Sequence, residues 1–550
     1  MYGMKLPEDQ GGLVRKTAIL VFVFMLVLAA VPGIHSTQDL DWGPTVDFYR
    51  DGAYVHGLLE GRYGEDPQYK GEHLWYTPLL FVVEAALVKV TGLPVEAVLV
   101  RAGAWLDLLA PICFFIMAWY FRGPVTAVAA SAIYLFFLVG EEPGWAVPTY
   151  SPWLIPVSFV QAFFYLDLIL IDRAFRSDRG MPSLLMGTAV GVTFLSHAVP
   201  ALIAVAIIAA LTIGLGVRHW RMGERSRAIR RVILGMGSGL VFLITSLPLL
   251  WYIVGDYGLH MENRAPFLYT YYVLTLRNMD LLLMHNLTWV SLAGLAGAVV
   301  LVREVVRRRQ LERVIELAWF GICIFLFCYA YIVSAAEDKY GIRLPGTAPT
   351  FHYFFYMKAA LVLFAGGVVS DPLHRSITWL NSRFRGTDGA PGGRAGIWAM
   401  AIWALPITVI YPAYAHRADL FIMRSRSLVI SEDHDRTDMF IHVRQLLGWD
   451  HVVLCDDELS MLPMMPSARK VLVTLSTMAN PYVAHNERVL DRNALFEGLH
   501  GNDPRTEELL SKYGVTHLLL STEQEQDLSQ RATWFPTEVY RNERYVLFTR

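Results

Sequence analysis

The chain has 550 residues, 54% of them hydrophobic and 17% charged, with 47 Lys+Arg against 49 Asp+Glu and a formal net charge of −2. Soluble globular chains run nearer 45–50% apolar and about 25% charged, so this composition excludes a disordered chain, a coiled coil and an ordinary cytosolic enzyme. The charge balance predicts no nucleic-acid partner, and the 13% aromatic share suits a membrane interface.

Apolar runs lie at 17–34, 97–121, 124–140, 152–171, 182–217, 232–254, 281–302, 316–335, 351–370 and 396–414. A span needs roughly 20 residues. The 36-residue run at 182–217 therefore reads as two short spans turning near His197 and Pro200, with His197 as a cap, which makes eleven. The stretch 79–90 is short and interrupted by Glu84 and Lys89. With a cytoplasmic N-terminus and 79–90 not crossing, the inside segments hold 22 Lys+Arg and the outer ones 8. A crossing at 79–90 would invert that bias, against the positive-inside rule. This predicts an interfacial or re-entrant helix there; the alternative is an extra turn within 97–121, at Pro111. The outer segments also carry 17 Asp+Glu, ten of them in 35–96.

Eleven spans put everything after Pro412 outside. Beyond 415 the apolar runs shorten to 451–455, 470–475, 515–520 and 545–549, alternating with helical stretches such as 506–514. That pattern predicts a small α/β domain over 415–550. No glycine-rich phosphate loop follows any of these strands, so nucleotide binding is not expected. Cys113, Cys323, Cys328 and Cys455 show no metal spacing and read as buried apolar thiols. The expected architecture is a polytopic α-helical membrane domain over 1–414, with about eleven transmembrane helices and a juxtamembrane helix. A C-terminal extracytoplasmic α/β domain follows it.

The first outer loop, 35–96, places Asp39, Asp41, Asp47 and Asp51 just beyond the first span. A carboxylate at the water–lipid boundary can take the proton of an attacking hydroxyl. The string VDFYRDGAYVHGLLEGRY followed by WYTPLL resembles the first extracytoplasmic loop of GT-C glycosyltransferases, polytopic enzymes that use polyprenyl- or dolichyl-phosphate sugars. Asp47, Tyr49, Gly61 and Tyr76-Thr77-Pro78-Leu79 match its spacing, with the mannosyl- and arabinosyl-type branches closest in local character. Many members have Asp-Glu at the catalytic position, whereas this chain has Asp47-Phe48, so the single Asp is what carries over. The resemblance covers about 35 residues closely and the rest by architecture. It implies an odd span count, a juxtamembrane helix after Pro-Leu and inverting transfer to an extracytoplasmic glycan or lipid acceptor, with Asp47 as general base.

The departing lipid phosphate needs cations. Candidates are Lys70 and His73 before the Tyr-Thr-Pro segment, Arg343 and His352 in the last outer loop, and Lys358, about two turns into the tenth span. An intramembrane lysine is costly and usually functional, although a snorkelling lysine is the other reading. Tyr49, Tyr76, Asp41, Glu142, Trp145, Tyr150 and Arg264 are candidate substrate contacts; the aromatics of 141–153 either stack on sugars or anchor at headgroups. Asp39-Leu40-Asp41 imitates a DxD metal motif, but three-residue matches are common, so no metal or other cofactor is expected. The localisation expected is the plasma (inner) membrane, multi-pass, with the N-terminus cytoplasmic. A transporter or flippase of a lipid-linked sugar is the other functional reading, weakened by the lack of two matching halves. A non-catalytic scaffold is a third.

Overall fold

The long apolar runs between 17 and 414 fall largely on helix in the computed structural model, which describes residues 8–141, 147–177, 179–263, 286–342, 344, 350–383, 392–501, 505–528 and 531–550. The run at 182–217 divides as its length demands, into Gly180–Ser196 and Ala198–Arg221. His197 is the N-cap between them, its Nδ1 accepting the Val199 N–H at 3.3 Å. Among the described residues seven helices are long and apolar enough to cross a membrane, against the eleven spans expected. Pro124–Phe136 and Gly180–Ser196 are apolar but shorter. Leu79–Thr91 has 13 residues, about 20 Å of helix against about 30 Å of hydrocarbon, and stops at Gly92 in the left-handed region. It is too short to cross as one helix. The 97–121 run is interrupted at Asp107-Leu108, between Val95–Leu106 and Leu109–Arg122.

The chain forms two compact units. The first comprises Met1–Ser36, Gly103–Ser246 and Thr270–Phe421, and the regular elements among its described residues are helices. Its centre is the Thr350–Arg383 helix, packed on Trp289–Arg308, Pro124–Phe136 and Leu311–Tyr340. Gly294 and Gly297 permit that packing. A Cβ at Gly294 would lie 2.7 Å from the Leu361 carbonyl oxygen, and one at Gly297 2.8 Å from Phe364. Small residues one turn apart let membrane helices approach backbone to backbone. Cys113 and Cys323 are buried here, whereas Cys328 is exposed, a departure from the expectation of four buried thiols.

The second unit comprises Thr37–Ala102, Leu247–Tyr269 and Ile422–Arg550. It is built on a five-stranded sheet: β1 (Val452–Leu454), β2 (Lys470–Val471), β3 (Val515–Ser521), β4 (Thr537–Arg541) and β5 (Tyr545–Thr549), in the order β2-β1-β3-β5-β4. β1 pairs parallel with β2 and β3, and β5 pairs antiparallel with β3 and β4. The four apolar runs are β1, β2, β3 and β5. β4 escapes sequence reading because it is a largely exposed edge strand, TEVYR, with charges in place of an apolar run.

The segment 37–102 belongs with this sheet and not with the helices of 1–36. The Val471 N–H donates to the Gln68 carbonyl at 2.8 Å, extending the β2 edge. Arg469 and Arg444 both bind the Glu60 carboxylate at 3.0 Å. Arg424 holds Asp39 with two hydrogen bonds of 2.6 and 2.7 Å. The compact units therefore do not follow a simple division at residue 414.

Candidate functional site

Val46–Leu59 is the helix that carries the candidate catalytic residue. Thr45, extended at φ −140°, ψ 164°, precedes it, and Asp47 lies in its first turn, where a carboxylate suits the helix dipole. From Phe48 to Gly57 every residue is buried, so Asp47 stands at the open end of an enclosed helix. Beyond Glu60 the chain turns through Gly61 at φ +78°, a conformation that costs any residue with a Cβ. The Gly61 of the sequence motif is thus explained by the turn it makes.

Arg50, one turn on, organises the carboxylates. Its Nη1 is 2.9 Å from Asp47 Oδ1, and Nε and Nη2 reach Asp51 Oδ1 at 2.8 and 2.7 Å. The guanidinium lies over the Tyr76 ring, 4.2 Å from its centroid, so the tyrosine of the Tyr-Thr-Pro-Leu segment serves as a platform for Arg50. Asp51 is 1% exposed and its Oδ2 has no hydrogen-bond partner. Burial drives the Asp51 carboxyl well above the usual carboxylate range, and Arg50 pulls it only partly back. Asp47 differs: its side chain is 38% exposed, with one oxygen oriented by Arg50. That is the arrangement of an accessible, positioned carboxylate. Arg50 was missed in the sequence, yet the spacing Asp-x-x-Arg-Asp puts both carboxylates beside it on a helix.

The four loop carboxylates do not gather at one point. Asp39 is bound by Arg424, and Asp41, 68% exposed, is bound by Arg101 Nη2 at 2.7 Å. Each of the two DxD carboxylates is therefore committed to its own arginine, and no group of three metal-capable side chains occurs among the described residues. Tyr49 is buried, its hydroxyl pushed up to about 12 by desolvation, so it presents no face to a substrate. Tyr76 is likewise pushed up to about 12 by burial. Lys70 is exposed, its amine over the Gly514 turn. His73 is half-exposed, its ring Nε2 3.9 Å from Asp256, and its backbone N–H donates to the Tyr257 hydroxyl at 2.7 Å.

The other candidates lie in the helical unit. Lys358 is 3% exposed, its Nζ 2.7 Å from Glu141 and 2.6 Å from Asn286 Oδ1. It is not a snorkelling lysine, and its charge is already matched by Glu141. His352 packs against His197 with ring centroids 4.8 Å apart. Tyr150 is fully buried, its hydroxyl donating to the Ala104 carbonyl at 2.8 Å, so it neither stacks on a sugar nor anchors at a headgroup. Glu142, Trp145, Arg264 and Arg343 lie outside the described residues.

No protein-family model matches the chain, and no curated protein matches it in sequence. Solved structures do match. The oligosaccharyltransferase of Archaeoglobus fulgidus in the apo form aligns with a TM-score of 0.54 at 13% identity, covering 94% of this chain and 72% of that one. The same enzyme with an inhibitory peptide and dolichol-phosphate aligns equally well, covering 92% and 70%. ArnT from Cupriavidus metallidurans bound to undecaprenyl phosphate aligns with a TM-score of 0.53 at 13% identity, covering 96% of this chain and 97% of that one. The apolar helices and these likenesses together make the chain a multi-pass membrane protein with the GT-C fold and a small sheet near its C-terminus.

Proposed function

We propose that the chain is a membrane glycosyltransferase, moving one sugar from a polyprenyl-phosphate donor to a glycan or lipid acceptor on the extracytoplasmic side. The observation that carries this reading is the half-exposed Asp47 carboxylate, oriented by a buried arginine at the open end of its helix. The solved neighbours whose complexes contain dolichol-phosphate and undecaprenyl phosphate support the donor class.

In this reading Asp47 takes the acceptor hydroxyl proton as the hydroxyl oxygen bonds to the anomeric carbon. The bond from that carbon to the donor phosphate breaks on the opposite face, and the phosphate leaves with the electron pair, inverting the centre. Arg50 keeps one Asp47 oxygen occupied and leaves the other for the proton. Cationic side chains take the charge of the departing phosphate. Lys70 and His73 are favoured because both are accessible in the unit that carries Asp47. Lys358 would first have to release Glu141. Transfer needs no resident metal. The chain resides in the inner membrane with an extracytoplasmic C-terminal domain that helps bind the acceptor.

The test is a turnover assay on purified chain with short-chain polyprenyl-phosphate sugars and a simple glycoside acceptor. The reading expects free polyprenyl phosphate and an inverted glycoside, unchanged by a chelator. No release from any mannosyl or arabinosyl donor would sink it, and loss with chelator would sink its metal-free form.

A further inference from the structure

The helical unit contains a cavity of about 570 Å³ that plays no part in the chemistry above. It is open on one side and lies between the ends of five helices: Gln161–Ser177, Ala198–Arg221, Arg225–Leu250, Trp289–Arg308 and Leu311–Tyr340. Its lining has two characters. Arg176, Arg218, His219, Arg231 and Arg309 form one part, and among the described residues no carboxylate lines the cavity. Leu211, Leu215, Val305 and Val314 are among the side chains that form the other.

The cations are not equivalent. Arg176 is bound to Asp172 at 2.7 Å and also to Glu312, and His219 is 2.6 Å from Glu224. Arg231 is buried and donates to the Phe175 carbonyl at 2.6 Å, closing the end of the Gln161–Ser177 helix. Arg218 and Arg309 are exposed and have no ion pair among the described residues. Arg309 is held at φ +51°, in the turn between two of the helices. From Arg218 back to Leu211 is seven residues, about 10 Å along the helix. The cavity thus runs from two uncommitted guanidinium groups to an aliphatic wall within the length of a headgroup and the start of an acyl chain.

A free phosphate would use the guanidinium groups and leave the aliphatic wall wet. A neutral lipid would use the wall and leave the arginines unmatched. An anionic phospholipid satisfies both, and basic pockets between membrane helices suit such headgroups. We infer that this cavity is a binding site for an anionic phospholipid, its phosphate held by Arg218 and Arg309 and its proximal acyl chain seated against Leu211 and Leu215. The site requires only that the chain is a membrane protein, and it stands or falls separately from the glycosyltransferase reading.

The test uses the full chain in neutral detergent, titrated with short-chain phosphatidylglycerol and followed by thermal midpoint and native mass spectrometry. Phosphatidylcholine of the same chain length, glycerol 1-phosphate and inorganic phosphate are the control arms. Phosphatidylglycerol is expected to be retained and to raise the midpoint, with no comparable effect from the other three. Arg218→Gln with Arg309→Gln should weaken retention about 30-fold, from roughly 1 kcal/mol per basic residue. Leu215→Trp keeps both charges, fills the apolar part and should also weaken retention, which serves if the double variant does not fold. Equal retention by parent and both variants would overturn the site. An equal response to phosphatidylcholine would overturn its charge selectivity, and an equal response to inorganic phosphate would overturn the lipid as occupant.

Discussion

Two arrangements of buried charge invite comparison. In the helical unit, Lys358 meets Glu141 and Asn286 with both ions about 3% exposed. In the other unit, Arg50 is equally buried but divides itself between Asp51, which is enclosed, and Asp47, which is 38% exposed. The first is a closed pair in which each charge cancels the other. The second uses a buried cation to hold an accessible carboxylate. The two networks are buried alike at the cation and differ at the carboxylate. Only the second leaves one member open to solvent.

The largest effect is expected at the closed pair. Lys358→Met leaves Glu141 buried and uncompensated, and should cost about 3–5 kcal/mol of stability. Lys358→Met with Glu141→Leu should recover most of that, as seen in thermal melts of the purified variants. A mild single variant would mean that Glu141 is not enclosed as described. At the open network, Arg50→Met should cost about 3 kcal/mol by stranding Asp51. Pairing it with Asp51→Leu should restore the melt but not turnover, because Asp47 stays unoriented. Recovery of both would remove Arg50 from the site.

Smaller effects sharpen the surroundings. Gly61→Ala forces a Cβ into a left-handed turn and should cost about 1 kcal/mol, read from denaturant midpoints. His517 is the mildest probe. Burial, with His451 beside it, lowers His517 to about 4 from an ordinary 6.5. The unfolded chain then binds more protons between those values, so stability is complete above about pH 6.5 and falls as pH drops toward 4. His517→Leu should flatten that slope in pH-dependent melts, and an unchanged slope would assign it to other groups.

The helices and most of the sheet were legible in the sequence because burial in lipid or in a sheet core writes continuous apolar runs. Even the break at His197 followed from span length alone. β4 was not legible, since an exposed edge strand needs no apolar face. At the candidate site, motif spacing and charge asymmetry point to Asp47 in the sequence, whereas neither points to Arg50. Its role depends on Tyr76, 26 residues away, and on burial, neither of which local sequence records. Tyr49 and Tyr150 failed in the opposite way. A tyrosine near a site reads as a sugar platform until its burial is known.

In the proposed reaction Asp47 is the accessible base and its surroundings only position it. The direct measurement is Asp47→Asn, isosteric and half-exposed, assayed for polyprenyl-phosphate release and, separately, for donor binding. Turnover should fall about 10²–10⁴-fold, with donor affinity and melting temperature essentially unchanged. Turnover at the parent rate in that variant would contradict this role for Asp47.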